Sequence, residues 1–123
     1  MSLRRRLAAV LTAVTLALAT ASAGAHAFLD RAEPRVGSAV RTPPAEVKLW
    51  FTQKLEPAFS TLQVTDAGGN RVDTHDGRVD AADGALLRTG LLPLGSGRYT
   101  VTWRVLSVDT HVTSGDFTFT VKR

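Results

Sequence analysis

The chain has 123 residues, with 15 Lys and Arg against 11 Asp and Glu, and it contains no cysteine. Three of the Arg stand in the first six residues, so the rest of the sequence carries 12 basic and 11 acidic residues, a net charge of +1. This near balance argues against nucleic acid or an anionic membrane as a partner. The absence of Cys excludes disulfides and thiolate metal sites.

The first 25 residues have the pattern of a secretory signal peptide. Three Arg at positions 4–6 precede an apolar stretch, residues 7–19, and small residues follow as far as Ala25. This stretch is shorter than the ~20 residues that a membrane-spanning helix needs. We therefore expect export of a domain that is not embedded in a membrane and that works in the periplasm or outside the cell.

The small residues permit cleavage after Ala23, Ala25 or Ala27. We expect cleavage after Ala25, which leaves residues 26–123 as one mature domain that begins with His26 and is expected to be a monomer. The sequence itself leaves the cleavage position and the oligomeric state open.

The mature sequence predicts an all-β fold. Apolar and polar residues alternate with period two in residues 47–52, 62–64, 99–105 and 117–121, and turn residues separate these segments. Both Trp50 and Trp103 are interpreted as core residues. About seven short strands in roughly 100 residues are typical of an immunoglobulin-like β-sandwich.

Between these segments, the sequence predicts a short strand over residues 71–73 and then a mobile surface loop over residues 73–85. The loop is rich in Asp and Gly and poor in apolar residues. It contains His75, which we expect to be solvated rather than bound to a metal.

Two features suggest a metal site. An N-terminal His can chelate one ion through its α-amine and its imidazole, which makes His26 a candidate ligand. If the chain stays extended after residue 105, Asp109 and His111 project to one face with Cα atoms ~6.5 Å apart. Each feature alone also has an ordinary explanation, a chance residue at the cleavage site or a solvated turn.

Taken together, the two features supply three nitrogen donors and one carboxylate oxygen. Such a set favours Cu(II) over Zn²⁺, which prefers tetrahedral coordination. Cu(I) prefers sulfur ligands, and the only Met is Met1, at the start of the leader. The predicted metal ligands are therefore His26, Asp109 and His111, with Cu(II) as the bound ion.

The mature sequence resembles the bacterial copper-resistance protein CopC family over nearly all of residues 26–123. The resemblance rests on His26 at the start of the mature chain and on these segments: Ala32-Glu33-Pro34 with Gly37, and residues 47–52, 97–104, 107–111 and 114–119.

The resemblance implies a Greek-key β-sandwich or barrel that binds one Cu(II) in the periplasm. It also implies that the ion is bound by the N-terminal His and by the Asp and His of an Asp-Thr-His motif, which correspond to His26, Asp109 and His111. The partners it implies are a CopD-like membrane copper transporter or a multicopper oxidase. We expect a copper carrier or buffer for copper homeostasis or resistance, not an enzyme.

The sequence departs from the family pattern at three places. The segment that is Met-rich and binds Cu(I) in some relatives, residues 66–84 here, contains no Met. Gln53 stands where Glu is frequent, and Val112 replaces a usual Pro. A second, Cu(I) site is therefore not expected.

Two other functions stay open from the sequence. A copper-dependent oxidative enzyme of the histidine-brace type also uses an N-terminal His and a second His. A metal-free interaction module would use only the β-sandwich.

Overall fold

The computed structural model describes residues 26–123, and the predicted leader, residues 1–25, lies outside this range together with the cleavage sites at Ala23 and Ala25. The described part consists of strands, turns and one short 3-10 turn. The eight strands are β1 (Leu29–Glu33), β2 (Ala39–Val40), β3 (Glu46–Phe51), β4 (Thr61–Thr65), β5 (Arg78–Val79), β6 (Leu86–Gly90), β7 (Gly97–Leu106) and β8 (Val112–Val121). Within residues 26–123, no helix is long and apolar enough to cross a membrane.

The strands form two four-stranded sheets, with the orders β1-β3-β6-β5 and β2-β8-β7-β4. Their longest pairing is the antiparallel β7–β8 hairpin, which runs in register from Gly97↔Val121 to Leu106↔Val112. The predicted all-β sandwich is confirmed, although the sheets do not close into a barrel. The described residues contain eight strands, close to the predicted number of about seven, and two of them, β2 and β5, have only two residues each.

Alternation with period two builds the core between the sheets. On β3, Val47, Leu49 and Phe51 are buried, as their spacing predicts, and Phe117 and Phe119 of β8 face them from the other sheet. The remaining buried apolar residues of the core cluster are Ala27, Ala32, Leu55, Leu62, Val64, Leu87, Leu91, Leu94, Tyr99, Val101, Val105 and Val121.

The prediction that both Trp residues belong to the core is half right. Trp103 is partly buried and packs against the core cluster. Trp50 lies between the buried residues Leu49 and Phe51, so the pleat of β3 directs it to the outer face of the sheet. There the guanidinium carbon of Arg31 lies 3.8 Å from the centre of a Trp50 ring, a cation–π contact.

Residues 71–85, after β4, form more backbone pairing than the predicted mobile loop would have. The expected strand at residues 71–73 is reduced to isolated bridges, Thr65↔Arg71 and Asp73↔Leu91, and the expected loop contains β5. Asp73 is 1% exposed rather than on the surface. His75 is exposed, as expected.

Asp73 attaches this segment to the edge of β4. Its carboxylate accepts hydrogen bonds from the backbone N–H of Val64 (2.9 Å), from the backbone N–H of His75 (3.0 Å) and from the Arg71 guanidinium (2.8 and 3.1 Å). Burial alone raises the pKa of the Asp73 carboxyl, but the Arg71 guanidinium and the two backbone donors outweigh burial and hold this pKa below its usual range.

Replacing Asp73 by Asn should lower the free energy of unfolding by about 1–3 kcal/mol, because it removes the charge that accepts four buried or partly buried hydrogen bonds from three residues. Because folding lowers the pKa of Asp73, the stability it contributes is present above the unfolded-chain pKa of ~3.9. It is lost as pH falls through the lower pKa of the folded state.

Urea unfolding at pH 7 and at pH 3 measures both effects, with Asp116→Asn as the control, since Asp116 lies exposed on β8. The difference between wild type and Asp73→Asn should shrink toward acid pH, and the control should differ little from wild type. An equal difference at both pH values would contradict the role of the carboxylate charge.

Candidate metal centre

An N-terminal arm, residues 26–28, crosses one end of the sandwich and is attached to both sheets. Phe28 exchanges two hydrogen bonds with Thr52, which directly follows β3: its N–H donates to Thr52 Oγ1 (3.0 Å) and its carbonyl accepts from the Thr52 N–H (2.9 Å). Ala27 is 1% exposed, and its carbonyl accepts a hydrogen bond from Thr113 Oγ1 of β8 (2.7 Å). The arm thereby brings His26 to the same end of the sandwich as the turn between β7 and β8.

That turn carries the Asp-Thr-His motif. Leu106↔Val112 is the last pair of the hairpin, and beyond it the Ser107 N–H donates to the His111 carbonyl (3.0 Å) and the Thr110 N–H donates to the Ser107 carbonyl (2.9 Å). Thr110 has a φ of +70°, in the left-handed region. A three-residue loop that ends in a left-handed residue is a common hairpin connection.

Ser107 stabilises this turn from within. It is 0% exposed, and its hydroxyl oxygen accepts a hydrogen bond from the His111 N–H (3.3 Å). The Val108 N–H donates to the Lys54 carbonyl (3.0 Å), which attaches the turn to the segment after β3. His111 therefore stands on a backbone that is fixed on both sides.

The turn also corrects one expectation. The motif is not extended, because the chain reverses at residues 108–110, and Asp109 and His111 do not project from one face of a strand. Asp109 is exposed on the turn, and its carbonyl accepts a hydrogen bond from Thr110 Oγ1 (2.5 Å). Among residues 26–123, no three side chains of His, Cys, Asp or Glu are grouped closely enough to hold a metal ion.

The structure does bring His26 and His111 together. Their ring centroids lie 4.6 Å apart, with an interplanar angle of 67°. The Nδ1 atom of His111 is buried and has no hydrogen-bond partner in the described chain. Buried polar atoms nearly always have a partner, and an imidazole nitrogen without one is suited to bind a metal ion. Since His26 is exposed, an ion can reach this pair from solvent.

A small cavity of about 280 Å³ lies between the arm and the start of β8. Trp103 forms part of its wall, and the Trp103 ring lies so close to Gly115 that a Cβ there would come within 2.5 Å of it. The lining residues are Ala27, Phe28, Leu29, Trp103, Thr113 and Ser114. Phe28, which is 57% exposed, lies at the edge of this open space, whereas Ala27 is buried in the core cluster.

The sequence predicted His26 and His111 as ligands, which stays a prediction, but it did not predict the groups that hold their segments. Thr52, Ser107 and Thr113 are ordinary polar residues at the ends of strands, and nothing in their spacing marks them. Their hydrogen-bond partners lie 4 to 86 positions away in the chain and are set by the fold.

A family model described as the CopC domain matches residues 29–122. The chain belongs to the CopC family.

Relatives of this CopC-family chain include proteins with and without a name that refers to copper. It is 37% identical over 124 residues to "Copper resistance protein C" of Xanthomonas campestris pv. juglandis, covering 96% of this chain and 97% of that protein. It is 34% identical over 122 residues to "Protein YobA" of Escherichia coli K12, covering 98% of both chains. The crystal structure of CopC from Methylosinus trichosporium OB3b superposes with a TM-score of 0.70 at 34% identity, covering 79% of this chain and 94% of that one.

Replacing Thr110 by Asn should raise the free energy of unfolding of the metal-free domain by about 1 kcal/mol. A β-branched residue is costly at a φ of +70°, whereas Asn tolerates the left-handed region. Chemical denaturation measures the change. The same replacement at Thr118, within β8, should not stabilise the domain, because Asn is unfavourable in strands. A destabilised Thr110→Asn variant would contradict this account of the turn.

Proposed function

We propose that the mature domain, residues 26–123, binds one Cu(II) ion at the end of the sandwich where His26 meets His111. It then acts as an exported copper carrier or buffer that binds the ion and yields it to a partner without breaking or forming covalent bonds in a substrate. The observation that carries this proposal is the contact between the two imidazoles, with ring centroids 4.6 Å apart and an unpartnered Nδ1 on His111.

The proposed donors are the α-amine and imidazole of His26, the imidazole of His111 and the carboxylate of Asp109. Nitrogen and oxygen donors without sulfur favour Cu(II). Asp109 is not grouped with the two imidazoles. Its carboxylate is nevertheless exposed, and no hydrogen bond or ion pair engages it among the described residues, so it is available to an ion that the imidazoles hold.

The surroundings of Ala27 support cleavage before His26. Cleavage after Ala27 would remove His26 and would also remove a residue that is 1% exposed in the core and hydrogen-bonded to β8. Cleavage after Ala25 keeps this anchor and frees the α-amine of His26, which is the arrangement that the chelate requires.

The relatives named as copper resistance proteins support copper as the ion and copper handling as the role. We propose a periplasmic or extracellular location and a monomeric state. As the partner that receives or supplies the ion, we propose a CopD-like membrane copper transporter or a multicopper oxidase.

Titration of the mature domain with Cu(II) should reach one equivalent and give a type 2 electron paramagnetic resonance spectrum. His111→Ala and Asp109→Ala should each weaken binding by more than about 100-fold, because the loss of a ligand costs more than the loss of a group that only supports one. Competition with a chelator of known affinity measures the change.

His75→Ala is the matched control, since His75 is exposed on a different segment and should leave binding unchanged. Two tight equivalents, or wild-type affinity in His111→Ala, would refute the proposed site. Wild-type affinity in Asp109→Ala alone would remove the carboxylate from the ligand set.

A chain that begins at Ala25 instead of His26 should bind Cu(II) at least about tenfold more weakly, a loss of about 1.4 kcal/mol. The extra residue converts the amine of His26 into an amide and breaks the chelate. The two chains differ by one residue and are compared in the same titration. Mass spectrometry of the exported protein should give His26 as its first residue, and any other first residue would contradict the chelate.

One observation favours a second function, a histidine-brace oxidative enzyme. The two imidazoles meet while Asp109 stands apart, so the donors gathered at this end are nitrogen only. Copper-dependent consumption of peroxide or cleavage of a polysaccharide would support this function. A copper-loaded domain that does neither would support the carrier.

A further inference from the structure

The arm that carries His26 depends on few polar contacts. On one side, Phe28 and Thr52 exchange two hydrogen bonds, and this side continues directly into β1, where Leu29 pairs with Phe51. On the other side, toward the sheet that ends in His111, the polar contact is the hydrogen bond from Thr113 Oγ1 to the Ala27 carbonyl (2.7 Å). On this side, the burial of Ala27 and the hydrogen bond from Thr113 hold His26 near His111.

Ala27 packs into the core, but the rest of this side of the arm has little packing beside the hydrogen bond. The cavity of about 280 Å³ separates the arm from the start of β8, and Thr113 forms part of its wall. Ala27 is 1% exposed, so its carbonyl has little access to water, and Thr113 Oγ1 is its hydrogen-bond donor in the described chain. Without the hydroxyl, the carbonyl would be buried with no donor, and the arm would gain by moving away from β8.

Thr113 also stands two positions after His111 on the same strand. A displacement of the turn thus moves both the His111 imidazole and the hydroxyl that holds the arm. The hydrogen bond joins Ala27 and Thr113, which are 86 positions apart, and so links the residue after His26 to the strand that begins directly after His111.

The geometry points to Thr113 as the positioning residue of the metal site: its hydroxyl holds the arm so that the His26 chelate and the His111 imidazole bind the same ion. This inference rests on the proposed function and extends it from the ligands to the group that aligns them. Thr113 itself does not contact the ion.

Cu(II) binding by Thr113→Val, which keeps the shape of the side chain and removes the hydroxyl, tests this role. The affinity should fall by about 10- to 100-fold, the usual effect of losing a group that orients a ligand. The electron paramagnetic resonance spectrum should move toward that of His111→Ala, because the His26 chelate stays intact while its alignment with His111 is lost. Thr113→Ser should restore both the affinity and the spectrum.

Thr118→Val is the matched control, because Thr118 lies on the same strand and forms no side-chain hydrogen bond among the described residues. Its affinity and spectrum should be those of wild type. Wild-type affinity and spectrum in Thr113→Val, or the same loss in Thr113→Ser or Thr118→Val, would overturn the inference.

A second measurement separates the inference from the proposed function. In the metal-free domain, Thr113→Val should speed amide hydrogen exchange of Phe28 by at least about tenfold, since a freed arm opens more often. Thr113→Ser should return the exchange to the wild-type rate. Failure of the wild type to bind copper would refute the proposed function alone, whereas an unchanged exchange rate at Phe28 in Thr113→Val would overturn the role of Thr113.

Discussion

The pairing of β7 with β8 is the constraint on which this end of the molecule depends. Ten residues of each strand lie in register, and their inward side chains form much of the core. The last pair of this register is Leu106↔Val112, so the register fixes which residues form the turn that follows. His111 directly precedes this last pair, so the hairpin holds its backbone in place although His111 is not a core residue.

His26 reaches its place by a different route. Its segment precedes the first strand and belongs to neither sheet, yet Ala27 is buried in the core and Phe28 is fixed to the residue after β3. In the proposed metal site, His26 is held in place by tertiary contacts of its arm, and His111 is held by the β7–β8 hairpin. If the proposed ion binds there, it links the arm to the β7–β8 turn, and metal binding then contributes to folding stability.

The sequence was sufficient where the determinants are local. Period-two alternation predicted β3, β7 and β8 and the buried face of each, because side-chain direction in a strand follows from position alone. The predicted chelate of His26 also rests on the residue itself and on cleavage before it, and it stays a prediction. The same alternation should have placed Trp50 outside, since both of its neighbours on β3 are inward residues.

The rest depended on contacts that no local pattern records. The polar stretch around Asp73 predicts a surface residue, but the carboxylate accepts a hydrogen bond from the backbone N–H of Val64, nine positions earlier, at the sheet edge. Thr110 adopts a left-handed conformation that its own side chain disfavours, because the register of the hairpin imposes the turn. Because of that turn, the side chain of Asp109 does not point in the direction that an extended chain would give it.

Residues 72 and 73, which are hydrogen-bonded to the edge of β4, affect the tendency of the protein to aggregate at high concentration. An uncovered edge strand offers free backbone groups to another chain and is a common origin of intermolecular β-sheets. Here the Val64 N–H is taken by the Asp73 carboxylate, and the Val64 carbonyl accepts from the Val72 N–H (2.9 Å). The fold thereby covers this part of the β4 edge with its own chain, using a carboxylate in place of a further strand.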